Sequence, residues 1–272
     1  MSVQFSNSIS VVGGLTVLNQ QVPLNLVIAK TFNGVTTWDN TNSYSLTGML
    51  NGAAAPTILS GNATTSSANV GTYTSFLTNS LNLSDIAYTF TDGNVSATIS
   101  QAPLLYTAKG STYQYGTADP LSVNNGSLTG LFSPDTRTNS TTGTMLFSTT
   151  ANSTSNVGFY AINGSGLTVT NTNYNSTIAQ DSVNATRLHI ISRSLNITIS
   201  KTYDGTNSWS NANSYTLTGM VNGDAAPTIL SGTATTSSAN VGTYTSFLTN
   251  SFVLSNPNYT IGFGSNVSAT IS

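Results

Sequence analysis

The sequence predicts an all-β protein assembled from tandem sandwich modules, and three observations carry that prediction: an internal repeat, a scarcity of charge, and short alternating strand runs. The repeat comes first, because self-similarity at a fixed spacing decides architecture before any local pattern does. The segment 30–90, opening KTFNGVTTWDN, returns at 201–261 as KTYDGTNSWSN, with roughly seven residues in ten unchanged. The tract ATTSSANVGTYTSFLTNS is identical in both copies. Between them, NVGFY at 156–160 echoes the NVGTY of 69–73 and 240–244. Successive Gly-x-Tyr signatures (Gly71/Tyr73, Gly158/Tyr160, Gly242/Tyr244) are therefore about 85 residues apart, the size of a small sandwich domain and too long for a solenoid coil. Three modules follow in the order A, B, A, over residues 21–100, 101–192 and 193–272. Residues 1–20, with Val11-Val12-Gly13-Gly14 at their middle, match neither kind and read as an N-terminal strand or the remnant of a preceding module.

Composition supports the same class. Charged residues make up 5% of the chain, against about 25% in ordinary globular domains, and all eight acids are Asp. Helices draw on Glu, Lys, Arg and Ala, so helix-building material is short. Ser, Thr, Asn and Gly replace it, and these favour turns and solvated strand faces. A net charge of −2 leaves no basic stripe for phosphates, which excludes nucleic acid as a partner. Cysteine is absent, so disulfides and thiolate metal sites are excluded as supports for thin cores. The N-terminus MSVQFSNSIS lacks the basic start and apolar run of a signal peptide. No stretch reaches the roughly 18 apolar residues of a membrane span, so membrane insertion is not expected.

Strand signals recur along the first module at Leu24 to Ala29, Ser43 to Leu50, Thr57 to Leu59, Gly71 to Leu77, Tyr88 to Phe90 and Val95 to Ile99. Asn51-Gly52, Asp92-Gly93 and Asn222-Gly223 are dipeptides of the kind that close hairpins. At the module border VSATIS (95–100) runs straight into QAPLLY (101–106) with no flexible linker, which predicts a semi-rigid rod. The same VSATIS occupies 267–272, on a module border, as expected of an excerpt from a longer array.

The motifs KTYDGTNSW (201–209), NGD (222–224), NVGTY (240–244) and NPNYT (256–260) resemble the YDG domain of large bacterial surface proteins, among them filamentous-haemagglutinin-like adhesins exported by two-partner secretion. The first module departs from the pattern, with Phe32-Asn33-Gly34 for Tyr-Asp-Gly and Ala53 for Asp224. The middle module, with YQYGTADP (113–120), NVGFY and TNYNST (172–177), resembles the related MBG domain. The resemblance implies an Ig-like sandwich used as a stalk, and it brings no catalytic residues to carry over.

Read on their own, the chemistry-bearing residues say little else. The single histidine, His189, sits in the strand-like RLHIIS without a nucleophile elbow nearby, so catalysis is not expected. The eight aspartates are scattered singly and read as turn formers; no metal or cofactor is expected, with calcium at an oxygen-rich loop such as DGTNS (204–208) as the alternative. Trp38 and Trp209 hold equivalent places in the two A modules and read as closures of the sandwich, the alternative being sugar-stacking rings in a glycan site. Tyr73, Tyr160 and Tyr244 read as corner tyrosines whose hydroxyls bond backbone. Lys30, Lys109 and Lys201 stand one near the start of each module; they read as gatekeepers of strand edges, or alternatively as isopeptide-forming lysines.

The functional expectation is a non-catalytic spacer or fibre segment of a bacterial cell-surface adhesin, outside the cell. Its partners would be neighbouring modules, other copies of the chain, or surface glycans. The alternatives are a self-assembling filament subunit and a glycan-binding module.

Overall fold

The computed structural model describes residues 20–74, 81–117, 125–262 and 267–272, with backbone alone at 92 and 93. Most of the segment 1–20, Asp119 and the end of the expected strand Gly71 to Leu77 lie outside the described residues.

In the first module the strand Val22–Thr31 buries every second residue, with Leu24, Leu26 and Ile28 at 0–3% exposure. Each such side chain contributes about 1.5–3 kcal/mol on leaving water. Ser43–Thr47 pairs antiparallel on one edge of this strand, and Tyr88–Ser100 pairs parallel on the other, followed by Gly71–Tyr73. Smaller ladders join Thr37–Trp38 to Ala63–Thr64 and Ile58–Ser60 to Asn82–Leu83. A parallel pair needs a long crossover. Here nearly the whole module is that crossover, so its first and last strands lie side by side.

The third module repeats this path. Ser214–Thr218, Arg193–Lys201, Val267–Ile271 and Gly242–Tyr244 form the larger sheet, and Ser208–Ser210, Thr233–Thr235 and Thr249–Asn250 a smaller one. Tyr259–Ile261 adds parallel to Arg193–Lys201. In the middle module Ser111–Gln114 again pairs parallel with the last strand, Leu188–Ile191, which Gly158–Tyr160 flanks. A second sheet holds Gly126–Thr129, Leu105–Ala108 and Ala179–Gln180. The chain is all-β: the described helical segments are one turn at Arg137–Ser140 and a 3-10 turn at Ser182–Thr186.

One turn expectation is corrected. Asp92-Gly93 does not close a hairpin; it lies inside the continuous strand Tyr88–Ser100, and the ladder shifts register between Leu24 and Leu26. A local excess of residues can be absorbed as a bulge without ending the strand. Asn51-Gly52 and Asn222-Gly223 do form turns, closed by Ala53 N–H on the Leu50 carbonyl (2.9 Å) and Asp224 N–H on the Val221 carbonyl (3.0 Å). Gly52 and Gly223 take φ of 79° and 95°, the left-handed region open to glycine.

The chain divides into two compact units, and the divide runs through the middle module. One unit is Met1–Leu104 with Gly130–Thr142 and Thr168–Ile178; the other is Leu105–Thr129 with Gly143–Leu167 and Ala179–Ser272. Each unit therefore contains one complete seam between successive modules.

Candidate module-coupling sites

The Lys-Thr-[Tyr/Phe]-[Asp/Asn]-Gly segment is a loop wound around a buried ammonium. Lys201 Nζ donates to Asp204 Oδ1 (2.8 Å), the Thr206 and Ser208 carbonyls (2.7 and 3.0 Å) and Thr206 Oγ1 (2.9 Å). It also lies 5.3 Å from the centroid of the Trp209 ring, within the range of cation–π attraction. The Lys201 hydrogen bond, reinforced by Thr206, holds the Asp204 carboxyl down at about 2. The first module builds the same loop with an amide in place of the acid. Lys30 Nζ donates to Asn33 Oδ1 (3.0 Å) and the Val35 and Thr37 carbonyls (2.6 and 3.0 Å), 4.8 Å from the Trp38 ring. Burial draws the Lys30 ammonium below its ordinary value. Asp204 is thus interchangeable with Asn33, because a neutral amide oxygen also accepts from the lysine.

These loops settle where the candidate residues stand. Trp38 and Trp209 are 1% and 0% exposed, so they lie in the interior of their modules and present no ring face on which a sugar could stack. Lys30 and Lys201 are each 8% exposed and saturated with oxygen acceptors, whereas Lys109 is exposed. His189 lies in the strand Leu188–Ile191 with its ring stacked on Phe159 at 4.2 Å. Asp39, Asp85, Asp181 and Asp204 accept backbone N–H groups two residues on, the Asx-turn geometry. Among the described residues no group of three or more histidine and carboxylate side chains comes together. No described helix is long and apolar enough to cross a membrane.

The Gly-x-Tyr corners build a second repeated loop. Tyr73, Tyr160 and Tyr244 each return a hydroxyl to the carbonyl four residues upstream, on Asn69, Asn156 and Asn240. In the A modules a serine two residues before the asparagine accepts its N–H, at 3.1 Å from Ser67 and from Ser238. The following valine N–H and the asparagine side chain are thereby held at the end of the module, beside the last strand.

That end is where the next module docks. Asn173 of the middle module reaches the first: its Oδ1 accepts the Val70 N–H at 2.9 Å, and its Nδ2 donates to Asn69 Oδ1 at 3.0 Å. At the second seam Asn258 repeats both bonds, to Val157 N–H and Asn156 Oδ1, each at 2.8 Å. Both asparagines sit in the same turn. Asn173 N–H donates to Asn171 Oδ1 and Asn258 N–H to Asn256 Oδ1, each at 3.0 Å, while Tyr174 and Tyr259 return their N–H groups to the Asn171 and Asn256 carbonyls.

Beside each latch is an aromatic contact. Phe32 meets Tyr174 edge-on at 5.4 Å and Phe132 at 6.0 Å, and Tyr115 meets Tyr259 edge-on at 5.4 Å. The Tyr174 hydroxyl donates to Asp135 (2.9 Å) and accepts the Phe132 N–H (3.0 Å). The Tyr259 hydroxyl likewise donates to Asp224 and accepts the Val221 N–H, and Tyr115 adds a second hydroxyl on Asp224 at 2.9 Å. Burial first, and then the carboxylate, push Tyr174 and Tyr259 up to about 12 and raise Tyr115. At each seam a glycine is crowded by the adjoining module, by backbone at Gly34 and by the Val221 side chain at Gly116. A Cβ on Gly34 would fall 2.8 Å from the Ser133 carbonyl oxygen and one on Gly116 2.0 Å from Val221 Cγ2.

The sequence reading missed this arrangement. Asn173 and Asn258 entered only as letters of the TNYNST and NPNYT motifs, and Asp224 only as the counterpart of Ala53. The signal present was that the Asn-x-Asn-Tyr of 171–174 and 256–259 becomes Asp85-Ile86-Ala87-Tyr88 in the first module, where Ala53 also replaces the counterpart of Asp224.

Residues 104–183 match the family model of the MBG domain (YGX type), and residues 191–269 that of the YDG domain. No curated protein and no solved structure matches the chain.

Proposed function

We propose that this chain, which carries an MBG domain and a YDG domain, is a structural stalk or fibre segment of a large bacterial cell-surface adhesin, acting outside the cell and without catalysis. One observation carries the reading: both seams use the same asparagine latch, tyrosine contact and crowded glycine, so coupling is written into the repeat. Modules that recognise their neighbours can be added in series, and copying a module lengthens an array without new chemistry. The linkers agree, since the last strands end at Ser100 and Ile191 and the next modules pair from Ala102 and Arg193 onward. On this reading the partners are neighbouring modules, and glycan binding falls to elements elsewhere in the adhesin.

The test is to display the chain between a surface anchor and a reporter epitope. Each added copy of residues 101–272 is expected to raise the epitope above the envelope by a constant increment, with no glycan retained by the chain itself. An epitope height independent of copy number, or saturable capture of a surface glycan by the purified chain, would contradict the stalk reading.

A further inference from the structure

The third module carries the receiving face of the seam in exposed form. Tyr203 stands in it where Phe32 and Tyr115 stand in the others, each donating its N–H to the end of its module's last strand: to Ser272, Ser100 and Ile191 respectively. Phe32 and Tyr115 are 4% and 6% exposed, but Tyr203 is 55% exposed. A Cβ on Gly205 would meet nothing within 4 Å, in contrast to the crowding at Gly34 and Gly116. Val241 is 66% exposed, whereas its counterparts Val70 and Val157 are half-buried. The face is nonetheless built: Tyr244 holds the Asn240 carbonyl and Ser238 the Asn240 N–H, as in the first module.

The delivering face shows the opposite asymmetry. In the first module Asp85-Ile86-Ala87-Tyr88 makes the same turn, with Ala87 N–H on Asp85 Oδ1 (2.9 Å) and Tyr88 N–H on the Asp85 carbonyl (3.3 Å). Yet Ala87 stands where Asn173 and Asn258 reach across, and Ala53 stands where Asp135 and Asp224 hold the tyrosine hydroxyls.

We propose that Tyr203, Gly205, Asn240 and Val241 form a docking face for a further module that presents an Asn-x-Asn-Tyr turn and a turn aspartate, joined directly after the strand Val267–Ile271. The same chemistry excludes the first module of a second copy as occupant, because Ala87 has no amide to offer the Val241 N–H or the Asn240 side chain. Coupling through this device is directional: the third module receives, and the first does not deliver. The inference goes beyond the stalk reading and holds or fails whatever the array is for.

The test follows amide exchange at Val241 in chains extended after Ser272. Adding a copy of residues 101–192, or of 193–272, is expected to slow Val241 exchange at least about tenfold, to the level of Val70 and Val157. Adding a copy of residues 21–100 leaves it fast, and that copy carrying Ala87→Asn together with Ala53→Asp slows it. Three results would overturn the proposal: unchanged exchange with both of the first two extensions, equal slowing by the unmodified 21–100 copy, or slowing in the native chain as its concentration rises.

Discussion

Replacing Tyr259 with alanine is expected to cost about 3–5 kcal/mol, the range for deleting a buried aromatic side chain that its surroundings cannot refill. Tyr259 is 3% exposed and does three things at once: it packs on Tyr115, donates to Asp224 and accepts the Val221 N–H. Denaturant unfolding should show the loss in the third module, accompanied by exposure of Tyr115 and freer exchange at Val157. Tyr259→Phe keeps the packing and loses the hydroxyl, leaving the Val221 N–H without its acceptor, for about 1–3 kcal/mol. The same hydroxyls give the seams an alkaline limit. Tyrosines raised from an ordinary 10 to about 12 favour the neutral form in the fold, so their contribution is complete below pH 10 and is lost as pH rises through about 12. A stability that stays flat across that window, or a Tyr259→Ala cost below about 1 kcal/mol, would mean that the hydroxyl–carboxylate contact does not stabilise the seam.

Trp209→Ala is expected to be as costly, about 3–5 kcal/mol, and for a reason belonging to the module interior. The ring is fully buried and lies beside the Lys201 ammonium, so truncation opens a cavity and strips the cation of its π partner. Trp38→Ala should act equally on the first module. The two sites belong to different modules with no shared partner, so the double variant is expected to show both losses independently. Calorimetry with separate transitions for the two A modules checks this; a Trp209→Ala protein with an unchanged third-module transition would mean that the loop holds without its ring. Neither variant should alter binding to any sugar.

Much of the fold was legible because its signals are local. The 30–90 and 201–261 repeat, the Gly-x-Tyr corners and the Asn-Gly turns each express a constraint spanning a few residues, and each appears at the expected place. Asp92-Gly93 misled because a turn dipeptide has the same local preference whether it ends a strand or bulges one. Asn184 went unnoticed for a different reason. It is buried, accepts the Ala108 N–H and donates to the Tyr106 carbonyl, partners fixed only once distant strands assemble. The seams were hidden in the same way. Asn69 and Asn173 lie 104 positions apart, and nothing in either one's immediate surroundings names the other. Only the comparison of modules marks them, since Ala87 and Ala53 depart together from positions that otherwise carry Asn and Asp.

One repeated latch couples successive modules, and three equivalent amides report on it within a single native chain. Hydrogen exchange at Val70 and Val157 is predicted to be slow, and exchange at Val241 fast. Asn173→Ala should release Val70 alone, and Asn258→Ala Val157 alone. Val70 and Val157 exchanging as freely as Val241 in the native chain would mean that the asparagine latch does not hold the modules together.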